Sequence, residues 1–248
     1  MNNHTLPYIS SLLIRFFFFM IFLGNILMAQ DQNQTQLKGT ERIYNEFIGL
    51  NQLIYNGRFY RYFYLEAAGD QYLIDPELYP GQLTFQGITY PDVELNYDIY
   101  NDIVFLLWDQ SGFIYYIIPN QTQVDSFTIA QMKFIRLKDQ EIQGLKAGFY
   151  QQAFHGQKSQ FLVKKQKTMA KQNRTQSTDK WFKFVRKDAF FVVMNGKAIQ
   201  VNSKKDLIKL DPNGQTAGFI KSSKLKFRPR REDFVPNVKT VLSFLENE

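Results

Sequence analysis

Cysteine is absent from the 248-residue chain. That absence excludes disulfide staples, thiol catalysis, a lipid-modified leader cysteine and cysteine-ligated zinc. Histidine is almost as scarce, with His4 and His155 the two present. His4 falls in a segment that reads as a leader, so a Ser-His-Asp arrangement would have to run through His155. His155 precedes Gly156 in a turn pattern, the ordinary setting of an exposed turn histidine. Phosphate-binding glycine spacing is also missing, because Gly144, Gly148 and Gly156 are scattered among strand patterns. No nucleic-acid recognition motif occurs, which argues against nucleic acid as a partner.

One long apolar run is present, and it is N-terminal. Arg15 precedes Phe16 to Leu23, Gly24-Asn25 breaks the run, and Ile26-Leu27-Met28-Ala29 ends on a small residue ahead of polar Gln30-Asp31-Gln32-Asn33. This pattern predicts a signal peptide over residues 1–29, cut after Ala29. A spanning helix needs about 20 apolar residues, more than the run from Phe16 to Ala29 supplies, so the segment reads as a leader rather than an anchor. The expected location is the periplasm or the outer membrane, as an exported envelope protein. No later run is long enough to cross a bilayer as a helix. Hydrophobic content of 44% argues against disorder and suits a chain that builds its own core without disulfides.

Charge is split along the chain. Residues 30–132 carry 4 Lys and Arg against 13 Asp and Glu, whereas residues 133–248 carry 25 against 10. The halves could attract one another, or the second half could face an envelope protein or an anionic surface such as lipid or lipopolysaccharide. A solvated basic surface is the plainer reading.

Beyond a polar lead over residues 30–40, Ile43, Phe47 and Leu50 recur at helical spacing behind Thr40, which predicts a short N-terminal helix. Alternation then takes over. Phe59, Tyr62 and Tyr64, followed by Tyr72, Leu73 and Ile74, predict a hairpin turning at Gly69-Asp70. Val93, Leu95, Tyr97 and Ile99 alternate with Asp92, Glu94, Asn96 and Asp98, giving one apolar and one acidic face. Ile103 to Trp108 is a continuous apolar run suited to a strand covered on both faces. Further hairpins are expected at Gln86-Gly87, Asp109 to Gly112, His155-Gly156 and Asn195-Gly196. Lys164 to Lys180 has few apolar residues and reads as an exposed loop.

The expected fold is mainly β. An antiparallel meander over residues 41–202, open or partly rolled into a barrel, carries a helical segment over residues 203–248 packed on the same domain. Ser203 reads as a helix cap, and Phe234, Val235, Val238, Val241, Leu242 and Leu245 form an apolar stripe.

Gly81-Gln82-Leu83-Thr84-Phe85 with Tyr90 to Asp98, then Gly148-Phe149-Tyr150, Lys205 to Lys209 and Lys224 to Phe227, resembles a pattern of uncharacterised exported proteins of Bacteroidetes-type bacteria. The resemblance implies export and a β-rich architecture. It implies no activity and no site.

Chemistry-bearing residues are few. Asp92, Glu94, Asp98 and Asp102 supply the carboxylate oxygens that calcium prefers, but without EF-hand spacing, and a strand spreads the first three over some 20 Å. The same acids are the candidates for a pair that hydrolyses sugars. Paired aromatics such as Tyr115-Tyr116 and Phe190-Phe191 must point to opposite faces of a strand, so a second layer covers one ring of each pair or leaves it exposed. No catalytic, cofactor-binding or metal-ligating residue is assigned on these grounds. The leading expectation is a non-catalytic envelope protein that binds through its basic second half. A carrier or sensor for an apolar ligand and a carboxylate-dependent hydrolase are the alternatives.

Overall fold

A computed structural model of the chain describes residues 53–110, 112–173, 176, 180–211, 213–229 and 231–247. By contact the chain divides into two units, residues 1–52 and 53–248. The expected leader, polar lead and N-terminal helix lie outside the described residues. The second unit holds fourteen strands and three α-helices among its described residues.

Eleven strands form one open antiparallel sheet, as expected from the alternating pattern. In chain order its members are β1 (Arg58–Phe59), β3 (Tyr79–Phe85), β4 (Ile88–Asp98), β5 (Ile103–Gln110), β6 (Phe113–Ile118), β7 (Val124–Ile129), β8 (Met132–Leu137), β9 (Gly148–His155), β10 (Ser159–Lys164), β13 (Ala189–Met194) and β14 (Lys197–Gln200). A smaller sheet joins β2 (Ala67–Ala68), β11 (Lys167–Lys171) and β12 (Phe182–Arg186), with β2 and β12 parallel. Helices α1 (Lys204–Ile208), α2 (Gln215–Ser222) and α3 (Phe234–Glu246) follow.

The order in the large sheet is β1-β6-β5-β4-β3-β7-β8-β9-β10-β13-β14. It departs from a simple meander where β7 returns to pair with β3, on the far side from β4. Tight hairpins carry most of the remaining connections. Asn195 (φ 50°) and Gly196 (φ 74°), and likewise Gln86 (φ 52°) and Gly87 (φ 77°), take positive angles at both central positions. That shape matches the right-handed strand twist. Ala130 (φ 46°) and Gln131 (φ 62°) make the same turn without a turn residue, because β7 and β8 pair tightly on either side.

Two expected elements are corrected. Residues 58–74 do not form a hairpin, since β1 pairs with β6 and β2 with β12. Stronger partners take those strands, and Gly69 (φ 78°) becomes a bend where Asp70 binds the Tyr72 amide and the Lys167 ammonium. Lys164 to Lys180 is not wholly loop. Lys167–Lys171 is β11, which gains ladder hydrogen bonds from β12 although Met169 and Ala170 are the only apolar residues in it.

The large sheet curls. Between β4 and β9 lie β3, β7 and β8, so a flat sheet would hold β4 and β9 about 19 Å apart. Yet the Tyr97 ring of β4 lies 6.0 Å from the Phe149 ring of β9. Phe127 and Phe134 each lie 5.1 Å from Tyr97, completing an aromatic knot inside the curl with Leu83, Leu95, Leu106 and Ile129.

Polar staples close the open side. Asp102, in the turn after β4, accepts from the Tyr97 hydroxyl and from Lys164 Nζ of β10 at 2.7 Å. Lys164 Nζ also donates to the Phe149 carbonyl. Gly148, at φ 137°, leaves room for this contact, because an added Cβ would overlap the Asp102 and Lys164 head groups. A second staple uses Gln121, whose side-chain amide pairs with both the N–H and C=O of Val104 where β6 has left β5. The Gln121 carbonyl then accepts from Arg136 of β8 at 2.7 Å.

The helices cover the other end of the sheet. Leu207, Ile220, Phe234, Val238, Val241 and Leu242 pack on Phe161, Val163, Phe190 and Val192. The opposite face of those strands buries Leu137, Tyr150, Leu162 and Val193. Adjacent aromatics thus serve opposite layers, with Phe190 under the helices and Phe191 behind them.

Glu246 fastens the end of α3 to the β9–β10 turn. Its carboxylate accepts from the amides of Gln157 and Lys158 and from the Ser159 hydroxyl. Desolvation alone would raise its pKa, but the hydrogen bonds from Lys158, Ser159 and Gln157 outweigh that and hold it below the ordinary glutamate value. A carboxyl whose pKa is lower folded than unfolded adds stability above the unfolded value and loses it as pH falls through the folded one. Glu246→Gln should therefore lower the Tm at neutral pH. In thermal melts, its gap to the wild type should close as the solution is acidified below about pH 4.

Candidate functional site

The four acids singled out by sequence do not converge. Asp92 sits at φ 55° beside a register shift opposite Gly81 and Leu83, and both Asp92 and Glu94 are exposed. Asp98 is fully buried, so the acidic face expected along this strand is covered at that point. The segment before β3 covers that face, and Asn96 donates to the carbonyls of Asp75 and Glu77 there. Asp98 accepts four hydrogen bonds, from the amides of Tyr100 and Asn101, the Asn101 side chain and the Tyr60 hydroxyl. Burial pushes its carboxyl above the ordinary aspartate range, with the bonds from Asn101 and Tyr60 working against the shift.

Asp102 is committed to Tyr97 and Lys164. Burial, and then Asp102, push the Tyr97 phenol well above its ordinary value, so it serves as a hydrogen-bond donor. Among the described residues no group of three or more His, Cys, Asp and Glu gathers as a metal site. His155 is exposed at the end of β9.

The basic second half behaves differently. Five ion pairs form among the described residues, and two join the halves of the chain: Lys164 to Asp102 at 2.7 Å and Lys167 to Asp70 at 2.9 Å. The attraction expected between the halves thus engages few of the cations.

Helical periodicity explains where the rest go. Each helix spends its apolar residues on the sheet, which leaves charged positions on the outer side. Between residues 203 and 247 nine Lys and Arg are exposed, among them Lys204, Lys209, Lys221, Lys224, Arg228 and Lys239. Only Arg231 among these nine is in an ion pair, with Asp233 at 3.7 Å.

The acids of the same stretch are largely committed to the backbone. Asp206 accepts from the Asn202 amide and the Ser203 hydroxyl, so Ser203 donates to a side chain instead of capping the backbone as expected. Asp211 accepts from the Thr216 amide at 2.6 Å and the Asn213 amide at 2.8 Å. Backbone hydrogen bonds hold both carboxyls below the ordinary aspartate value. The outer side of the helical layer is therefore dominated by cations.

A further cluster gave no sequence signal because its members come from three separate segments. Asp188 accepts from Lys165 at 3.1 Å, from Arg186 Nε at 3.1 Å and from the Gln166 amide at 3.3 Å. Arg186 also donates to the Leu73 carbonyl. Burial lowers the Lys165 pKa, with Asp188 opposing the shift. Two cations thus share one carboxylate beside a cleft between the sheet and the segment before α3.

No protein-family model, curated protein or solved structure matches the chain. Among the described residues no helix is long and apolar enough to cross a membrane.

Asp98→Ala should lower stability by about 3 kcal/mol, since it strands four donors at a buried point. Asp92→Asn, which keeps a side chain that tolerates the positive φ, and Glu94→Ala should stay within about 0.5 kcal/mol of the wild type. Urea denaturation of the three variants measures the contrast.

Proposed function

We propose that the protein is a non-catalytic, exported envelope protein that binds an anionic envelope component through the outer side of its C-terminal helical layer. The observation that carries this reading is the excess of exposed, unpaired cations between residues 203 and 247, set against acids that fold back onto the backbone. Each Lys or Arg held near an anionic lipid surface contributes about 1 kcal/mol, and the attraction is screened by salt. The leader pattern over residues 1–29 supports delivery to a compartment bounded by such surfaces. A carboxylate-dependent hydrolase draws no support from Asp98 and Asp102, whose oxygens are already engaged in structural hydrogen bonds.

Cosedimentation with vesicles of anionic and of zwitterionic phospholipid tests the reading. Binding is expected to the anionic vesicles alone. It should weaken as ionic strength rises from about 0.1 M to about 1 M and the screening length falls from about 10 Å to about 3 Å. Replacing Lys204, Lys209, Lys221 and Lys224 together by Gln should weaken it roughly 1,000-fold, from about 1 kcal/mol per charge. Equal binding to zwitterionic vesicles, or none to anionic ones at low salt, overturns the reading.

A further inference from the structure

The sheet face that bears both cores is not covered continuously. Met132 packs at the margin of the curled core, while Phe190 and Val235 belong to the core under the helices. Between them lies an open cleft of about 750 Å³. That volume falls within the range of small-molecule sites, about 300 to 1,000 Å³.

The wall chemistry of this cleft is specific. Met132, Phe190, Pro229 and Val235 give it apolar surface. Lys165 and Arg186 share Asp188, which leaves one positive charge uncompensated within that group. Lys187 and Arg231 add cations at exposed positions, with Glu232 beside them and Asp233 paired to Arg231 at 3.7 Å. A ligand that fits must bring an anionic group and an apolar body together.

We infer that the cleft binds a small anionic amphiphile, with its acidic head toward Arg231 and Lys187 and its apolar body on Met132, Phe190 and Val235. Both cations are exposed, so the head stays partly hydrated while the body leaves water. Burial of the body supplies the main attraction, about 25 cal/mol for each Å² of apolar surface. The charges set the orientation and reject neutral analogues. A carboxylate and a phosphate monoester satisfy the same chemistry. This site is separate from the outer side of the helical layer and needs no membrane.

Anilinonaphthalene sulfonate, which joins an anion and an aromatic body, is a suitable probe in a fluorescence titration of the folded protein. Displacement by dodecanoate, dodecyl phosphate, dodecanol and inorganic phosphate then separates the contributions. Saturable probe binding, displaced by dodecanoate or dodecyl phosphate and at least about ten-fold less well by dodecanol, is the expected result. Whichever of the two anions displaces better identifies the head group. The Lys187→Gln, Arg231→Gln double variant should weaken the probe at least about ten-fold. Lys197→Gln, on the exposed edge strand β14, removes a charge elsewhere and should leave the affinity within about two-fold. Cooperative melting of each variant shows that the fold is intact. Equal displacement by dodecanol, displacement by inorganic phosphate alone, absence of saturable binding, or an unchanged affinity in the double variant would overturn the inference.

Discussion

The contact between Asp102 and Lys164 decides the form of the molecule. It joins the turn after β4 to β10, strands that lie five positions apart in the sheet order. An open antiparallel sheet of eleven strands has no intrinsic reason to bring those positions together beyond its twist. The aromatic knot of Tyr97, Phe127, Phe134 and Phe149 supplies the apolar attraction, and the ion pair with the Tyr97 hydroxyl fixes its register. Exposure of 17% for the Lys164 side chain and 31% for Asp102 places the pair where water only partly screens it.

Several features follow from the curl. One face of the sheet is divided into a curled core and a region that the three helices cover. The helices spend their apolar stripe on that region and turn lysines outward. The cleft lies where the two coverings fail to meet. Gln121 shows how closely the chain is constrained, since a side-chain amide completes the ladder at Val104 when β6 departs.

Local pattern made much of the fold legible. Alternation of Val93, Leu95, Tyr97 and Ile99 marks one buried face, and all four are buried. Asn195-Gly196 marks a hairpin because few other residue pairs accept two positive φ angles. Pairing between distant segments was not legible. Nothing local to β7 tells it to lie beside β3, and two-residue strands such as β1 and β2 carry too little pattern to reveal their partners. Asp98 misled because period two says which residues share a face, whereas the cover over that face comes from residues 60–78. For the site, the excess of Lys and Arg was readable as composition, and its outward display follows from the stripe that ends with Leu245. The group of Lys165, Arg186 and Asp188 with Arg231 was invisible, because folding alone brings Lys165 and Arg231 to the adjacent Arg186 and Asp188.

The claim that Asp102 and Lys164 hold the curl is tested most directly by a double-mutant cycle. Asp102→Ala, Lys164→Ala and the double variant are compared with the wild type by urea denaturation. A coupling free energy of about 1 to 2 kcal/mol is expected, as for directly interacting groups that are partly buried. Additive losses, with coupling below about 0.3 kcal/mol, would contradict it.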